Sequence, residues 1–115
     1  MGDLQTLPSS LRETQRYLVF EIIVDEPVAF GDVVETVWDA AVGFLGETGA
    51  ASADPWVLQD MFDADLQRGA VRVRKDAVGE MRAALALVTE IGGRDAMIHV
   101  LGVTGTMDSA RDKYM

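Results

Sequence analysis

The stretch Arg16–Val24, RYLVFEIIV, decides the fold of this chain. β-branched and aromatic residues dominate it, which predicts a β-strand. Alternation divides its side chains into two faces, Leu18, Phe20, Ile22 and Val24 against Tyr17, Val19, Glu21 and Ile23. Because both faces are mostly apolar, the pattern indicates a central strand that is covered on both sides, or on one side and by an interface.

Two stretches downstream of this strand have apolar residues at helical spacing. The first covers 29–46, and we expect its core stripe to consist of Val34, Val37, Trp38, Ala41, Phe44 and Leu45. The second covers 78–91 and is expected to end at Gly92-Gly93, because glycine adopts positive φ at little cost. A short third helix, capped by Thr104 or Thr106, is predicted to run to Tyr114.

Alternating patterns predict three more strands, over 55–62, 70–75 and 96–103. The first two form a hairpin, in which Arg72 and Arg74 face away from the core. The order β-α-β-β-α-β predicts an α+β fold of the ferredoxin-like class. We expect a four-stranded antiparallel sheet with two helices on one face, plus a short C-terminal helix. Residues 1–15 are expected to form an N-terminal arm, and 16–115 a single domain.

Length and composition exclude several classes of protein. The chain has 115 residues, of which 49% are apolar and 25% charged, as in one ordinary globular domain. It has no cysteine and a single histidine, which excludes disulfides, thiolate metal sites and polyhistidine metal sites. It shows no signal peptide and no apolar run long enough for a membrane span, so a cytoplasmic protein without a membrane partner is expected.

The charge is unevenly distributed. The net charge is −9, and the eleven acidic residues from Tyr17 to Gln67 are accompanied by no lysine or arginine. A compact basic block follows, made of Arg68, Arg72, Arg74 and Lys75. Such a positive edge on an acidic body predicts RNA binding through phosphate contacts at one place. The alternative is that Arg72 and Arg74 pair with acids across the hairpin, such as Asp60.

No constellation of residues predicts catalysis or a metal site in the chain itself. His99 lies within an apolar strand and has no serine, cysteine or carboxylate placed as an obvious partner. Asp60, Asp63 and Asp65 lack the glycine and glutamate of a calcium loop. RNA-recognition domains stack bases on aromatic residues of the first and third strands, but here the third strand has none. Tyr17 alone could stack, so a stacking sheet face is not expected.

Several segments share an order with a known family. They include Leu7-Pro8-x-Ser10-Leu11-Arg12, Arg16-Tyr17-Leu18-Val19-Phe20-Glu21, Gly69-Ala70-Val71-Arg72-Val73-Arg74, Arg82-Ala83-Ala84-Leu85-Ala86-Leu87-Val88 and Val100-Leu101-Gly102-Val103-Thr104-Gly105-Thr106. In this order, and over nearly the whole chain, the sequence resembles archaeal ribonuclease P protein component 2.

The resemblance implies a subunit of the ribonucleoprotein endoribonuclease that removes 5′ leaders from precursor tRNA. In that family the RNA performs the Mg²⁺-dependent hydrolysis, so no catalytic residue and no cofactor is expected in this chain. The implied partners are the ribonuclease P RNA, protein component 3, a second copy of the chain, and precursor tRNA as substrate. The competing hypotheses are a ferredoxin-like ligand-sensing or oligomerising regulatory module and a protein-interaction adaptor, but neither explains the clustered arginines.

Two sets of site residues follow from these arguments. The RNA contacts are expected at the basic block and, as the resemblance implies, at the cations near both ends, Arg12, Arg16, Arg111 and Lys113. Glu13 and Asp112 reduce the positive charge of those two ends. The contacts with a protein partner are expected on the open sheet face, at Tyr17, Val19, Ile23 and Leu101.

Overall fold

The strand quoted at the start of the sequence analysis lies at the centre of the sheet. The computed structural model describes residues 14–115, where β1 (Gln15–Val24) pairs antiparallel with β3 (Arg68–Arg74) and with β5 (Arg94–Thr104). Two short strands, β2 (Trp56–Val57) and β4 (Glu90–Ile91), extend the sheet to the order β2-β3-β1-β5-β4. The predicted α+β fold with an antiparallel sheet is confirmed, but the sheet has five strands instead of four.

The fifth strand results from the glycine pair. The second predicted helix was expected to reach residue 91, but α2 (Val78–Ala86) is shorter. Gly92 and Gly93 have φ values of 59° and 80° and form a two-residue turn between β4 and β5, in which Ile91 pairs with Arg94. Two successive positive φ values are the geometry of the hairpin turns that fit the twist of antiparallel strands. The glycines therefore join two strands and do not end a helix.

The first helix is longer than predicted. α1 (Phe30–Ala53) continues through Gly46, whose φ of 76° and ψ of 170° interrupt the helical geometry and kink the helix. The segment beyond the kink buries Ala50 and Ala53, so the helix extends to Ala53 instead of ending at residue 46 as expected. The chain leaves the helix at Asp54, which has a left-handed backbone.

The buried stripe of α1 differs from the predicted one. It consists of Val33, Val37, Ala41, Ala50 and Ala53. Val37 and Ala41 were predicted correctly, and Leu45 packs partly buried against the core. Val34, Trp38 and Phe44 are exposed, so their assignment to the core was wrong. They lie at helical spacing too, but on a neighbouring stripe that faces solvent.

The strand predicted over 55–62 is only partly formed. Trp56 and Val57 pair with Arg72 and Val71, and a 3₁₀ turn over Gln59–Met61 then replaces the strand. A second 3₁₀ turn, Lys75–Ala77, joins β3 to α2. The predicted C-terminal helix is confirmed as α3 (Met107–Tyr114), and the Oγ1 of Thr106 caps it by accepting a hydrogen bond from Ser109 N at 3.1 Å.

Both faces of β1 are covered, as the apolar pattern predicted. On one face α1 and α2 bury a cluster of large side chains that includes Leu18, Phe20, Ile22, Val71, Val73, Met81 and Leu85. On the other face a smaller cluster lies against α3, with Val19, Leu58, Met61, Ala70 and Ala110 buried. The expectation that Val19 would lie on an open face was wrong, because α3 covers that part of the sheet.

Candidate nucleic-acid interface

The basic block lies along one strand and its end. Arg68, Arg72 and Arg74 occupy alternate positions of β3, so their side chains leave the sheet on the same face, which is the face that carries α3. Lys75 follows in the adjoining 3₁₀ turn. The structure therefore brings the four predicted cations together, but it gives them different surroundings.

Arg68 is held by protein acceptors. Its Nε and Nη2 donate to Glu21 Oε2 at 3.3 and 3.2 Å, and its Nη1 donates to the carbonyl oxygen of Tyr114 at 2.9 Å. Glu21 is its direct partner in the register between β1 and β3. These bonds fasten the end of α3 to the sheet, so the geometry gives Arg68 a structural task. An RNA contact at Arg68 stays a prediction.

Arg72 has no such acceptors. Within residues 14–115 its side chain forms no hydrogen bond or salt bridge, although its Nε is shielded from solvent. Its direct cross-strand neighbours are Tyr17 on β1 and Trp56 on β2. The alternative pairing of Arg72 with Asp60 is therefore wrong for this structure.

Arg74 and Lys75 are exposed at the end of β3. Arg74 Nε lies 3.9 Å from Asp76 Oδ1, and both side chains face solvent, so this ion pair holds the guanidinium weakly. Asp76 follows on the same segment, so Arg74 does not pair across the hairpin as the alternative required. Both cations remain accessible to an anionic ligand.

The cations near the two ends are dispersed. Arg12 lies outside the described residues. Arg16 on β1 is opposite Val73 on β3, so its side chain leaves the sheet on the face away from Arg72. Its Nη1 donates a hydrogen bond to Gln15 O at 2.8 Å. Arg111 and Lys113 are exposed in the last turn of α3. The RNA contacts predicted for these residues stay predictions.

The four residues predicted to contact a protein partner also differ in how exposed they are. Val19 is completely buried, and Tyr17 and Leu101 pack partly buried beside α3. Ile23 is 51% exposed, and its cross-strand neighbour Met97 is 61% exposed. Sequence reasoning missed Met97, because the pairing of β1 with β5 is a long-range feature. The two side chains form a small apolar patch beyond the end of α3, and its binding role stays a prediction.

The helical side of the molecule is acidic. A groove of about 690 Å³ lies between α1, α2 and the β4–β5 turn, with Phe44 and Leu87 among its apolar lining residues. All its charged lining residues are acids, namely Asp32, Glu35, Asp39 and Glu90. We call it the acidic groove. The carboxylates of this groove repel phosphate. The opposite face, which carries the basic residues of β3, is therefore better suited to RNA.

A second groove lies at the β2 edge of the sheet. It measures about 520 Å³ and is lined mainly by apolar residues, including Val34, Trp38, Trp56 and Met107. We call it the edge groove. Both tryptophans of the chain line it and are substantially exposed, Trp38 by 44% and Trp56 by 60%. Sequence reasoning missed Trp56 as a site residue because it had assigned the tryptophan to a long strand.

Across residues 14–115, no three histidine, cysteine or acidic side chains come together in a group that could hold a metal ion. None of the helices in this part of the chain is long and apolar enough to cross a membrane.

Comparison with known proteins extends the resemblance seen in the sequence. Residues 16–115 match the model of the Rpp14/Pop5 family. Ribonuclease P protein component 2 of Thermococcus gammatolerans is 41% identical over 109 residues, which cover 95% of this chain and 89% of that protein. The protein of the same name from Pyrococcus horikoshii is 39% identical over 115 residues, which cover all of this chain and 94% of that protein.

The fold also has a counterpart among solved structures. A chain in the cryo-EM structure of yeast ribonuclease MRP superposes with a TM-score of 0.64, covering 82% of this chain and 76% of that chain. The two sequences are only 10% identical, so this likeness concerns the fold. The sequence relatives and the family model confirm the resemblance to ribonuclease P protein component 2.

Proposed function

This chain belongs to the Rpp14/Pop5 family, and on that premise we propose that it is a protein subunit of ribonuclease P. The holoenzyme is an endoribonuclease that matures the 5′ end of tRNA by removing the leader of precursor tRNA. The observation that carries the proposal is the match of nearly the full chain to relatives named ribonuclease P protein component 2. In this function the chain supports the RNA, and the Mg²⁺-dependent hydrolysis belongs to the RNA.

The distribution of charge supports a defined orientation on the RNA. Arg72, Arg74 and Lys75 lie at one end of β3, whereas the acidic groove lies on the opposite side of the sheet. The basic residues of β3 attract the phosphates of the RNA, and the acidic groove repels them. The protein therefore approaches the RNA with its β3 end. Arginine suits the contact because its planar guanidinium donates two hydrogen bonds to phosphate oxygens.

Exposed apolar residues support the proposal that the chain binds protein partners. Phe44 and Leu87 lie at the acidic groove, and Ile23 and Met97 form the apolar patch on the sheet. Apolar side chains that cluster on a surface mark sites of protein association. Component 3 of ribonuclease P and a second copy of the chain are the proposed occupants of these surfaces, with precursor tRNA as the substrate of the assembly in the cytoplasm.

The strand order supports one finer assignment of the fold. Without β4, the order β2-β3-β1-β5 is that of a ferredoxin-like βαββαβ sheet. We assign the fold to that class, with the β4–β5 turn as an added hairpin and α3 as an added helix.

The test is a reconstituted holoenzyme in which the combined variant Arg72→Ala, Arg74→Ala and Lys75→Ala replaces the wild-type chain. Loss of three phosphate contacts should raise the Mg²⁺ requirement for precursor-tRNA cleavage. It should also flatten the dependence of log affinity on log salt by roughly two to three units. The control is Arg82→Ala, which removes an exposed cation from α2. A wild-type chain that fails to stimulate cleavage by the RNA would contradict the proposed function.

A further inference from the structure

A row of side chains crosses four strands beside α3. Trp56 on β2 is opposite Arg72 on β3, Arg72 is opposite Tyr17 on β1, and Tyr17 is opposite Thr104 on β5. Residues that are directly opposite on antiparallel strands leave the sheet on the same face, with Cβ atoms about 5 Å apart. We call this set the cross-strand row. It places an arginine between two aromatic side chains.

The members of the row differ in how far they are engaged by the protein. Tyr17 packs partly buried against the cluster beneath α3, so it is fixed in position. Trp56 is 60% exposed and offers its indole ring to solvent at the edge of the sheet. Arg72 lies between them, and its shielded Nε has no acceptor among residues 14–115.

Arg68 on the same strand shows what a satisfied guanidinium looks like here. Each of its three nitrogens donates to an oxygen of Glu21 or Tyr114. Arg72 leaves the sheet on the same face but lacks a carboxylate or carbonyl partner within the described chain. Arg72 is only partly buried, and no carboxylate within residues 14–115 offsets its charge, so the accessible part of its guanidinium can bind an anionic oxygen of a ligand.

We propose that the cross-strand row binds an unpaired nucleotide of an RNA strand, with the base stacked on Trp56 and the backbone phosphate bound by Arg72. The proposal rests on the proposed function, since it names the kind of RNA element that this face of the subunit takes. A flat, exposed aromatic ring stacks on a base whose own face is open, and bases within a duplex do not offer that face.

The surrounding charges orient the nucleotide. Arg74 and Lys75 continue the positive charge along β3 beyond Arg72. On the other side of Trp56, the edge groove contains Asp60, which repels phosphate. The backbone therefore lies over β3, and the base lies towards β2.

The test uses Trp56 as a fluorescent reporter, which is practical because the full-length chain has two tryptophans. In a Trp38→Phe background, Trp56 is the only tryptophan, and a nine-residue oligouridylate is titrated while its fluorescence is recorded. Stacking should quench the fluorescence, and a nine-base-pair RNA duplex should not quench it. In a fluorescently labelled version of the oligouridylate assay, Trp56→Ala should weaken binding roughly tenfold, and Trp56→Phe should retain most of the affinity.

A second comparison separates the two parts of the row. Arg72→Ala should weaken binding and flatten the salt dependence by about one unit, because it removes one phosphate contact. Trp56→Ala should weaken binding without changing that slope, because stacking releases no counterions. The matched control is Trp38→Ala, which removes the other exposed tryptophan of the edge groove and should leave oligouridylate binding unchanged. Circular dichroism checks that each variant is folded.

Several outcomes would overturn the proposal while leaving the subunit function intact. They are an unquenched Trp56 at saturating oligouridylate, equal quenching by the duplex, or an equal loss of affinity in Trp38→Ala. A Trp56→Ala chain that binds oligouridylate normally but no longer joins the reconstituted protein assembly would overturn it too, since the edge groove then serves a protein. In each case, continued stimulation of precursor-tRNA cleavage by the wild-type chain shows that the proposed function stands independently.

Discussion

The two faces of the central sheet are covered by different means. On the face of α1 and α2, large apolar side chains such as Phe20 and Leu85 are completely buried. On the other face, α3 packs through Ala110 against a smaller cluster that includes Val19 and Ala70, and a hydrogen bond from Arg68 to the Tyr114 carbonyl fastens its end. The first face supplies most of the buried apolar surface. The second is covered over part of its area, which leaves Arg72 and Trp56 beside α3 for a ligand.

The largest expected effect on stability comes from the core between the sheet and the helices α1 and α2. Phe20→Ala removes a completely buried ring and should lower the free energy of unfolding by about 3–5 kcal/mol. Chemical denaturation measures the loss. The matched control is Phe44→Ala, since Phe44 is exposed on α1 and should change stability by less than about 1 kcal/mol. Equal losses in the two variants would show that the core is misassigned.

The next largest effect on stability concerns the packing of α3 against β5. The hydroxyl and ring of Tyr114 lie where a side chain on Gly102 would be, so Gly102→Ala should displace them and cost about 1–3 kcal/mol. Adding Tyr114→Ala should cost less in this background than in the wild type, because the clash is gone. Denaturation of the four proteins of this double-mutant cycle measures the coupling.

Gly105→Ala is the control for that cycle, because within residues 14–115 the added carbon would meet no heavy atom within 4 Å beyond Gly105 and its two chain neighbours. Additive effects of Gly102→Ala and Tyr114→Ala would mean that Tyr114 does not rest on Gly102.

A smaller effect should separate two arginines of the same strand. Arg68→Ala removes the bonds to Glu21 and to the Tyr114 carbonyl, and it should lower stability by about 1 kcal/mol because the side chain is partly screened by solvent. Faster hydrogen exchange of the amides in α3 is the more specific sign. Arg74→Ala, the control, should leave that exchange unchanged. Unchanged hydrogen exchange of the α3 amides in Arg68→Ala would show that the hydrogen bonds of Arg68 are not needed to hold α3 on the sheet.

The smallest effect concerns an ion pair remote from both cores. Arg94 Nη1 donates to Glu26 Oε2 at 2.6 Å, and this hydrogen bond, reinforced by the guanidinium charge, lowers the pKa of Glu26. A carboxyl whose pKa is lowered by folding contributes stability above its unfolded pKa and loses that contribution as the pH falls through the folded pKa. The contribution is slight because both groups are exposed.

NMR titration of the Glu26 carboxyl tests this pair. In Arg94→Gln the pKa of Glu26 should rise towards its ordinary value, whereas in Arg82→Gln it should stay lowered. An unchanged pKa in Arg94→Gln would assign the shift to another cause.

Features that depend on local pattern could be predicted from the sequence. The apolar alternation of Arg16–Val24 is enough to place β1 inside the sheet, but it does not decide whether the second face is covered by this chain or by an interface. Helical spacing predicts α1 and the start of α2, but not which of two neighbouring apolar stripes is buried. Trp38 and Val37 are adjacent in sequence, and only packing against the sheet distinguishes them.

Features that depend on which strands pair, and in which register, could not be predicted. Gly92-Gly93 is compatible with a helix end and with a hairpin turn, and the choice is made when Arg94 pairs with Ile91. The site follows the same rule. The basic residues of β3 are visible as a cluster in the sequence, but the position of Trp56 opposite Arg72 depends on the register of a two-residue strand. The acceptors of Arg68 come from β1 and α3, far away in the chain.

The central position of β1 also determines how the chain must fold. Its two neighbours in the sheet come from the middle and the far end of the described chain, and Tyr17 pairs with both Arg72 and Thr104. Pairing of such distant segments makes folding slow compared with that of helical domains. During synthesis β1 precedes both partners, so at least one edge of this apolar strand stays open until β5 is complete. That interval is when the chain is most prone to pair with other chains, so a lower expression level, which reduces the number of incomplete chains present together, should favour its recovery in folded form.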